Sequence, residues 1–520
     1  MTVLFLVERG GALRGRGGVA SGDESSAPRA YEEVSRVRHR VGGNHEVERE
    51  LGAHPCICHA VRRTSPTGGQ RFGSLRVMFL PLKNAPRDYA WGAPGSISQL
   101  LGTTGACTLD DADWDGVPQA ELWLGAHPGA PSRIVDPELA GGATTLDAWI
   151  AQEPVATLGR YAMGLREGDG PGLPYLLKVL SAAAPLSLQV HPTLADARRG
   201  FDRENSSGIP LSAPERNYKD PLHKPEMLLA LSETMDALAG FRDFGEVAAV
   251  VGDFAQRADA DQEQPGAGRA ALADFSARVR SLATGEDLRE LVTWLLEGGE
   301  AVDELVAAVS RVALAGDEAG DQAERFARER GIIATLARMY AGDPGIALAL
   351  LLNHITIRRG EAIFLPAGNM HAYVRGLGIE IMAASDNVLR GGLTPKHIDI
   401  PELLARLDFA PVPPPYIAAT RIQDGVEEYR PEIPDFRLVR VVPSPVDTVK
   451  TIHLDGPTML LCLEGEARLE GAKTTASISA GESVFVTPDE LPVRVIGSVD
   501  LFAAGPGLDR RDTVPMRHAD

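Results

Sequence analysis

The amino-acid sequence predicts a mainly β protein with a helical insert, built from two β-barrel or β-sandwich domains plus an α-helical domain. Short alternating segments broken by Gly and Pro lie on both sides of residues 236–345, which is typical of antiparallel sheets. Within that stretch, apolar residues recur at a spacing of three and four, which is typical of helices. A chain of 520 residues is also long enough for about three domains.

The composition is that of a globular protein and excludes some classes of partner. The chain has 44% hydrophobic and 24% charged residues, and its formal charge is -19. A nucleic-acid-binding surface needs an excess of Lys and Arg, so we expect no nucleic-acid partner. No apolar run approaches the length of a membrane span, so we expect no membrane partner and a cytoplasmic location. The four cysteines provide no disulfide framework.

Residues 1–77 predict a disordered or non-native N-terminal extension. The segments "ERGGALRGRGG" and "VSRVRHRVGGNHEVERE" are rich in Arg and Gly and show no sustained period. A second interpretation is that translation begins at Met78, where the first convincing strand starts. The segment "HPCICH" contains four possible zinc ligands, His54, Cys56, Cys58 and His59. Their spacing matches no standard zinc finger, so we expect a chance cluster.

Four further segments follow in order. Strand signals occupy residues 78–235, and residues 236–345 form the helical insert, where "GEDLRELVTWLLEGG" has helical apolar spacing. Strand signals return over residues 346–415, which we expect to complete the domain begun by residues 78–235. Residues 416–520 alternate between apolar and polar positions with regular turns, and they predict a second β-domain.

The segment "PLSLQVHP" contains a row of polar residues within an apolar strand. Strand alternation places the apolar side chains on one face and the polar ones on the other, Ser187, Gln189 and His191. A solvated face is the ordinary explanation for such a row. Two further segments favour a different explanation.

These segments are "YKDPLHKPEMLLAL" and "GEAIFLPAGNMHAYV". In the first, Glu226 opens an apolar run, where a carboxylate is unfavourable unless it is paired or bound to a metal. In the second, His371 follows a strand and a turn. With Gln189 and His191 they offer two imidazoles, one carboxylate and one amide oxygen, a set that suits Zn²⁺ or another borderline divalent metal. A single anionic ligand would leave the bound cation an effective Lewis acid.

Several motifs in the same order resemble the type I mannose-6-phosphate isomerases (phosphomannose isomerases), zinc enzymes of the cupin superfamily. They are "YAWG", "AELWLGAHPGAPS", "LSLQVHP", "NYKDPLHKPEM", "FLPAGNMHAY" and "SDNVLRGGLTPKHID". The resemblance covers residue 78 to the end, whereas residues 1–77 have no family counterpart and the last β-domain shows no ligand set. It implies a catalytic cupin domain over residues 78–235 and 346–415 and a C-terminal cupin-like β-domain over residues 416–520.

The resemblance also implies an activity and a set of site residues. The activity is the interconversion of D-mannose 6-phosphate and D-fructose 6-phosphate by an enzyme with one Zn²⁺ per chain, and we expect a monomer. By motif position the zinc ligands fall on Gln189, His191, Glu226 and His371. The family's active-site arginine falls on Arg390. Other residues of the family's pocket fall on Lys224, Tyr373, Glu380, Asp386 and Lys396.

Aldose-ketose isomerisation needs cations beside the enediol oxygens and a group that carries the proton. Arg390 offers a permanent positive charge, and its alternative role is a structural ion pair with Asp386 or Glu380. For the proton the sequence leaves three candidates open, Asp386, His223 and Lys224.

The substrate's phosphate needs local cations in an acidic protein. Lys396 with Arg390, together with Ser187, are the expected contacts, although Lys396 could equally be a solvated loop residue. A rival function is a non-catalytic cupin that binds metal or sugar phosphate, which would not need Lys224, Asp386 or Arg390. A second rival is an iron oxygenase, against which the glutamine ligand argues.

Overall fold

The computed structural model describes residues 79–102, 116–166, 170–318, 325–443 and 449–507. The predicted N-terminal extension and its "HPCICH" segment lie outside these ranges. The described ranges confirm a mainly β architecture with a helical block. They contain no helix that is both long and apolar enough to cross a membrane.

The first part of the chain forms strands separated by short helices. Its elements are β1 (Phe79–Lys83), β2 (Ala93–Pro94), α1 (Ser96–Leu100), β3 (Pro118–Gln119), β4 (Glu121–Leu124), β5 (Arg133–Ile134), a 3₁₀ turn (Pro137–Ala140), α2 (Leu146–Gln152), α3 (Pro154–Gly164), β6 (Tyr175–Ala182), β7 (Leu188–Val190), α4 (Leu194–Ser206), β8 (Glu226–Ala230) and β9 (Thr234–Phe241). Every residue of β6 and β8 is buried, because both faces of these strands are covered.

A block of helices follows β9. Its members are α5 (Phe244–Ala260), α6 (Gly266–Arg280), α7 (Gly285–Glu297), α8 (Glu300–Glu318), α9 (Ala327–Met339) and α10 (Gly345–Ala349). α7 begins with a capping box, in which Thr284 and Asp287 satisfy each other's backbone N–H groups. The apolar stripe of α7 joins a cluster that also contains Leu188 and Val190 of β7. The helices therefore cover the apolar face of β7, and its polar residue points the other way.

Strands return after α10. The elements are β10 (Leu352–Arg358), β11 (Ala362–Leu365), β12 (His371–Ala383), β13 (Leu389–Gly392), α11 (Ile400–Arg406), β14 (Tyr416–Ile417), β15 (Thr420–Gln423), β16 (Val426–Tyr429), β17 (Arg437–Val441), β18 (Val449–Ile452), β19 (Thr458–Glu470), β20 (Thr475–Ser479), β21 (Ser483–Val486), a second 3₁₀ turn (Pro488–Glu490) and β22 (Val493–Gly505).

One antiparallel sheet combines strands from before and after the helical block. Its main path is β10-β9-β12-β8-β11-β14, and β12 also pairs with β6 and β7. β13 extends the sheet from β7, and β4 extends it from β6. Because β12 contacts four other strands, it fixes the positions of the strand ends that carry the polar residues described below.

The second large sheet is also antiparallel and follows the path β15-β16-β17-β22-β19-β21-β1-β5. Its unexpected member is β1, which pairs with β21 so that Phe79 lies opposite Val486. A pairing between residues so far apart in the chain leaves no local pattern in the sequence. The predicted domain boundaries stay a prediction.

Tyr175 connects β6 to the C-terminal strands. Its buried hydroxyl lies 2.8 Å from the carbonyl oxygen of Pro457 and 3.0 Å from that of Ala504. We expect Tyr175→Phe to lower the free energy of unfolding by about 1–2 kcal/mol, because a buried hydrogen-bond donor is lost. Denaturant unfolding measures this, with the exposed Tyr89→Phe as the control. Equal effects of the two substitutions would contradict the structural role of Tyr175.

Candidate metal centre and active site

Three predicted metal ligands meet at the ends of three strands. His191 directly follows β7, Glu226 opens β8 and His371 opens β12. Nε2 of His191 lies 3.3 Å from Oε1 of Glu226, and Nε2 of His371 lies 3.2 Å from Oε2. All three residues are buried, and their possible ligand atoms lie within 4.8 Å of one another. The spacing of these atoms suits one shared cation.

The curvature of β12 makes this meeting possible. Glu226 lies opposite Met382, at the far end of β12 from His371. In a flat strand these eleven positions would span about 36 Å, at roughly 3.3 Å per residue. The strand instead bends near Gly376, which has a φ of 129° and packs so closely on Met235 that a Cβ atom would lie 2.7 Å from it. Glycine is therefore required at the bend.

Backbone carbonyls orient both imidazole rings. Nδ1 of His191 lies 2.9 Å from the carbonyl oxygen of Asn387, and Nδ1 of His371 lies 3.0 Å from that of Asn369. A carbonyl oxygen only accepts, so each Nδ1 carries the proton and each Nε2 presents a lone pair. Within the described ranges, the buried Nε2 of His191 makes no well-formed hydrogen bond. Such an unsatisfied buried atom fits a metal ligand.

The protonation states of His191 and Glu226 also suit metal binding. Burial lowers the pKa of His191 to about 4, so the ring is neutral at neutral pH. Burial opposes the ionisation of Glu226, but Lys224 and the two imidazoles outweigh it and hold the pKa of Glu226 well below its usual value. The group thus offers a carboxylate and imidazole lone pairs, which are the protonation states that divalent cations require.

Gln189 and Arg390 share the sheet face of His371. Gln189 lies opposite His371 on β12 and opposite Arg390 on β13. Side chains of directly opposed residues in antiparallel strands project to the same face. This register places an amide and a guanidinium on the same sheet face as His371. Ser187 is half-buried and lies one position before β7.

Arg390 is half-buried and has no acidic partner within ion-pair distance among the residues that the structure describes. The two carboxylates proposed as structural partners are engaged elsewhere. Asp386 lies 3.3 Å from Nε2 of His127, and Glu380 lies 3.0 Å from Nζ of Lys178. The guanidinium charge of Arg390 is therefore available to a ligand.

The three candidates for proton transfer have different surroundings. Lys224 is buried with Nζ 3.1 Å from Oε1 of Glu226. Nε2 of His223 lies 3.0 Å from both carboxylate oxygens of Asp435. Asp386 is exposed, although part of the residue is covered by its neighbours. This partial burial alone would raise the pKa of Asp386, but the hydrogen bond from His127 outweighs the effect, and the pKa is lowered. Lys224 alone of the three contacts the metal-ligand group directly.

Tyr373 and Lys396 complete the predicted set. Tyr373 is buried two positions after His371, and burial with the charges of Glu380 and Glu226 holds its pKa well above the usual value. Lys396 is exposed, and partial burial with the nearby charge of Arg390 lowers its pKa. Lys396 has no carboxylate partner in the described ranges.

Comparisons with known proteins agree with this site. Residues 79–244 match the family model of the catalytic domain of type I phosphomannose isomerase. The mannose-6-phosphate isomerase of Salmonella typhimurium is 36% identical over 419 residues, 80% of this chain and 97% of that protein. The human mannose-6-phosphate isomerase is 32% identical, over 79% of this chain and 93% of that protein.

Solved structures give the same result. A zinc-bound mannose 6-phosphate isomerase is 35% identical, has a TM-score of 0.69, and is covered over its full length by 83% of this chain. A crystal structure of a phosphomannose isomerase variant from Salmonella typhimurium has the same TM-score at 33% identity. The chain belongs to the type I phosphomannose isomerase family.

This member of the phosphomannose isomerase family also contains a second group of buried charges, centred on Lys178, which the sequence analysis did not predict. Lys178 on β6 lies 3.4 Å from Glu121 and 3.0 Å from Glu380, and its ammonium faces the ring of Trp123. Burial alone would lower the pKa of Lys178, but the carboxylates outweigh it and raise that pKa. A single lysine within the apolar run "YLLKVLSA" is the signal that could have revealed it, by the argument applied to Glu226.

Proposed function

We propose that the protein is a zinc-dependent aldose-ketose isomerase that interconverts D-mannose 6-phosphate and D-fructose 6-phosphate through an enediol. The observation that carries this proposal is the buried group of His191, Glu226 and His371 in a chain of this family. Their lone pairs and carboxylate converge on one point beside Lys224 and the sheet face of Arg390. Mere metal binding would not require these two cations.

Four residues would hold one zinc ion per chain, namely Gln189, His191, Glu226 and His371. When bound, zinc supplies a Lewis acid that polarises the carbonyl or hydroxyl oxygens of the sugar. Glu226 provides the only negative charge among the ligands, and the neutral Gln189 keeps the centre electrophilic. The backbone carbonyls at Nδ1 of His191 and His371 keep both rings in the required tautomer.

Arg390 stabilises the negative charge that develops on the enediol oxygens. The guanidinium stays protonated at every working pH and has no carboxylate to neutralise it in the described ranges. It lies on the face that Gln189 and His371 share. A preorganised charge at this position acts in the transition state without reorganisation.

Lys224 is the group that we place next to the transferred proton, which it can accept only as the neutral amine. Its Nζ contacts Glu226, so it lies at the edge of the metal group, where we place C1 and C2 of a bound sugar. Asp386 is a weak base because the hydrogen bond from His127 lowers its pKa against partial burial. His223 is engaged by Asp435. Tyr373 and Glu380 line the same buried region and orient the sugar hydroxyls.

The phosphate group is bound by Arg390, Lys396 and Ser187. The protein carries a net charge of -19, so only a local excess of cations can attract an anionic sugar. Partial burial lowers the pKa of Lys396, and the nearby positive charge of Arg390 lowers it further. Binding a phosphate between them would relieve this repulsion.

We further propose the domain arrangement and the setting of the enzyme. Two cupin-like domains divide the chain, with residues 78–235 and 346–415 in the catalytic one and residues 416–520 in the other, although β1 and β5 pair within the second sheet and β14 pairs within the first. We also propose that the enzyme is a cytoplasmic monomer that binds only small sugar phosphates.

Removal of the metal is the direct test of this function. Dialysis against a chelator should abolish the conversion of mannose 6-phosphate in a coupled assay, and Zn²⁺ should restore it. The reason is that the metal is the Lewis acid of the proposed reaction. Full turnover by metal-free protein would contradict the mechanism. Stoichiometric zinc without turnover would instead support the rival function, a non-catalytic cupin.

A further inference from the structure

A hydrogen-bond network joins two loops that lead into the active site. One loop covers residues 219–222 before β8, and the other covers residues 385–387 between β12 and β13. The first loop leads to Lys224 and Glu226, and the second contains Asp386 and leads to Arg390. The network centres on Asp220, Ser385 and Asn387, which do not belong to the predicted site.

The carboxylate of Asp220 collects the donors of the second loop. Oδ1 accepts from the hydroxyl of Ser385 at 2.8 Å, and Oδ2 accepts from the backbone N–H of Asp386 at 2.8 Å. The N–H of Leu222 also donates to Oδ1, at 3.0 Å. Both carboxylate oxygens are therefore used, and each holds a different part of the loop. An amide in this place would present two donors to groups that are themselves donors.

Asn387 completes the connection from the other side. Its buried Nδ2 donates to the carbonyl oxygens of Asp220 at 2.7 Å and Leu222 at 2.8 Å, and its Oδ1 accepts from the N–H of Lys219 at 2.7 Å. The backbone carbonyl of Asn387 then accepts from Nδ1 of His191 at 2.9 Å. The carbonyl that fixes the ring of His191 is thus positioned by contacts with the first loop.

We propose that Asp220 is a positioning residue, which holds the 385–387 loop in place and thereby fixes the orientation of His191 and the placement of Asp386 and Arg390. This inference deepens the proposed function and rests on it. Among the predicted site residues, the side chain of Asp220 forms a hydrogen bond only with the backbone N–H of Asp386. Its other side-chain hydrogen bonds in the described ranges are to Leu222, Ser385 and Asn387.

The test measures zinc affinity by competition with a chromophoric chelator, and kcat and KM on the zinc-loaded protein. Asp220→Asn should weaken zinc binding by about tenfold or more and lower kcat, which is the scale seen when an outer partner of a metal ligand is lost. Ser385→Ala removes the hydroxyl that donates to Asp220 and accepts from the N–H of Asn387, without a change of charge. It should therefore weaken zinc binding in the same direction by about fivefold or less. It also decides the question if Asp220→Asn does not fold.

Glu490→Gln is the matched control. Glu490 is a buried carboxylate of the C-terminal β-domain that accepts from the N–H groups of Lys473 and Thr474. Its substitution should lower the melting temperature and leave zinc affinity and kcat unchanged. Folded Asp220→Asn and Ser385→Ala proteins with unaltered zinc affinity and kcat would overturn the inference, as would an equal loss of zinc affinity in Glu490→Gln. Wild-type protein without zinc binding or turnover would overturn the proposed function itself.

Discussion

Replacement of Arg390 by alanine is expected to lower kcat by about a hundredfold or more while the protein keeps one zinc per chain. This is the scale observed when one preorganised charge-stabilising donor is removed from an active site. The four proposed ligands remain in place, and no ion pair of Arg390 is lost among the described residues, so the fold should be unaffected. Steady-state kinetics with metal analysis measures both quantities.

The same experiment separates two roles of Arg390. If the guanidinium binds the phosphate equally in the ground and transition states, KM rises and kcat changes little. The exposed Arg468→Ala serves as the control, because this arginine pairs with Glu470 on the surface of the C-terminal sheet. Unaltered kcat and KM in Arg390→Ala would contradict both proposed roles.

Glu226→Gln is expected to yield protein that is metal-poor as purified and inactive. The substitution removes the only anionic ligand, and with it the strongest electrostatic attraction for the cation. It also leaves the ammonium of Lys224, 3.1 Å from Oε1, without its buried counter-charge. Zinc content by elemental analysis, together with the coupled assay, measures the effect.

The matched control for this substitution is again Glu490→Gln, which makes the same chemical change at a buried carboxylate of the other sheet. That variant should contain zinc at the wild-type level. A Glu226→Gln protein with stoichiometric zinc and normal turnover would show that the metal is held elsewhere.

The sequence predicted those parts of the fold and site that leave a local pattern. The helical spacing of α7 and the alternation in β7 are of this kind, since each follows from the repeat of a single element. The carboxylate of Glu226 was found because it opens an apolar strand, where its burial must be compensated. The three buried residues His191, Glu226 and His371 do lie together, in the arrangement that the motif pattern predicted.

Features that depend on distant contacts were not predicted. The pairing of β1 with β21 and the bend of β12 at Gly376 arise only when the sheets assemble. The partners of Asp386 and Glu380 are His127 and Lys178, which come from earlier strands and loops, so neither pairing could be read from the sequence around Arg390. Asp220 and Asn387 were missed for the same reason, because their roles appear only where two loops meet.

The position of the bound zinc ion decides whether the proposed ligands form the metal centre. Anomalous diffraction at the zinc absorption edge, from crystals of the zinc-loaded protein, should show one strong peak per chain. We expect this peak within bonding distance of Nε2 of both histidines and of the carboxylate and amide oxygens of the proposed ligands, His191, His371, Glu226 and Gln189. A zinc peak at any other position, with none between His191 and His371, would contradict this expectation.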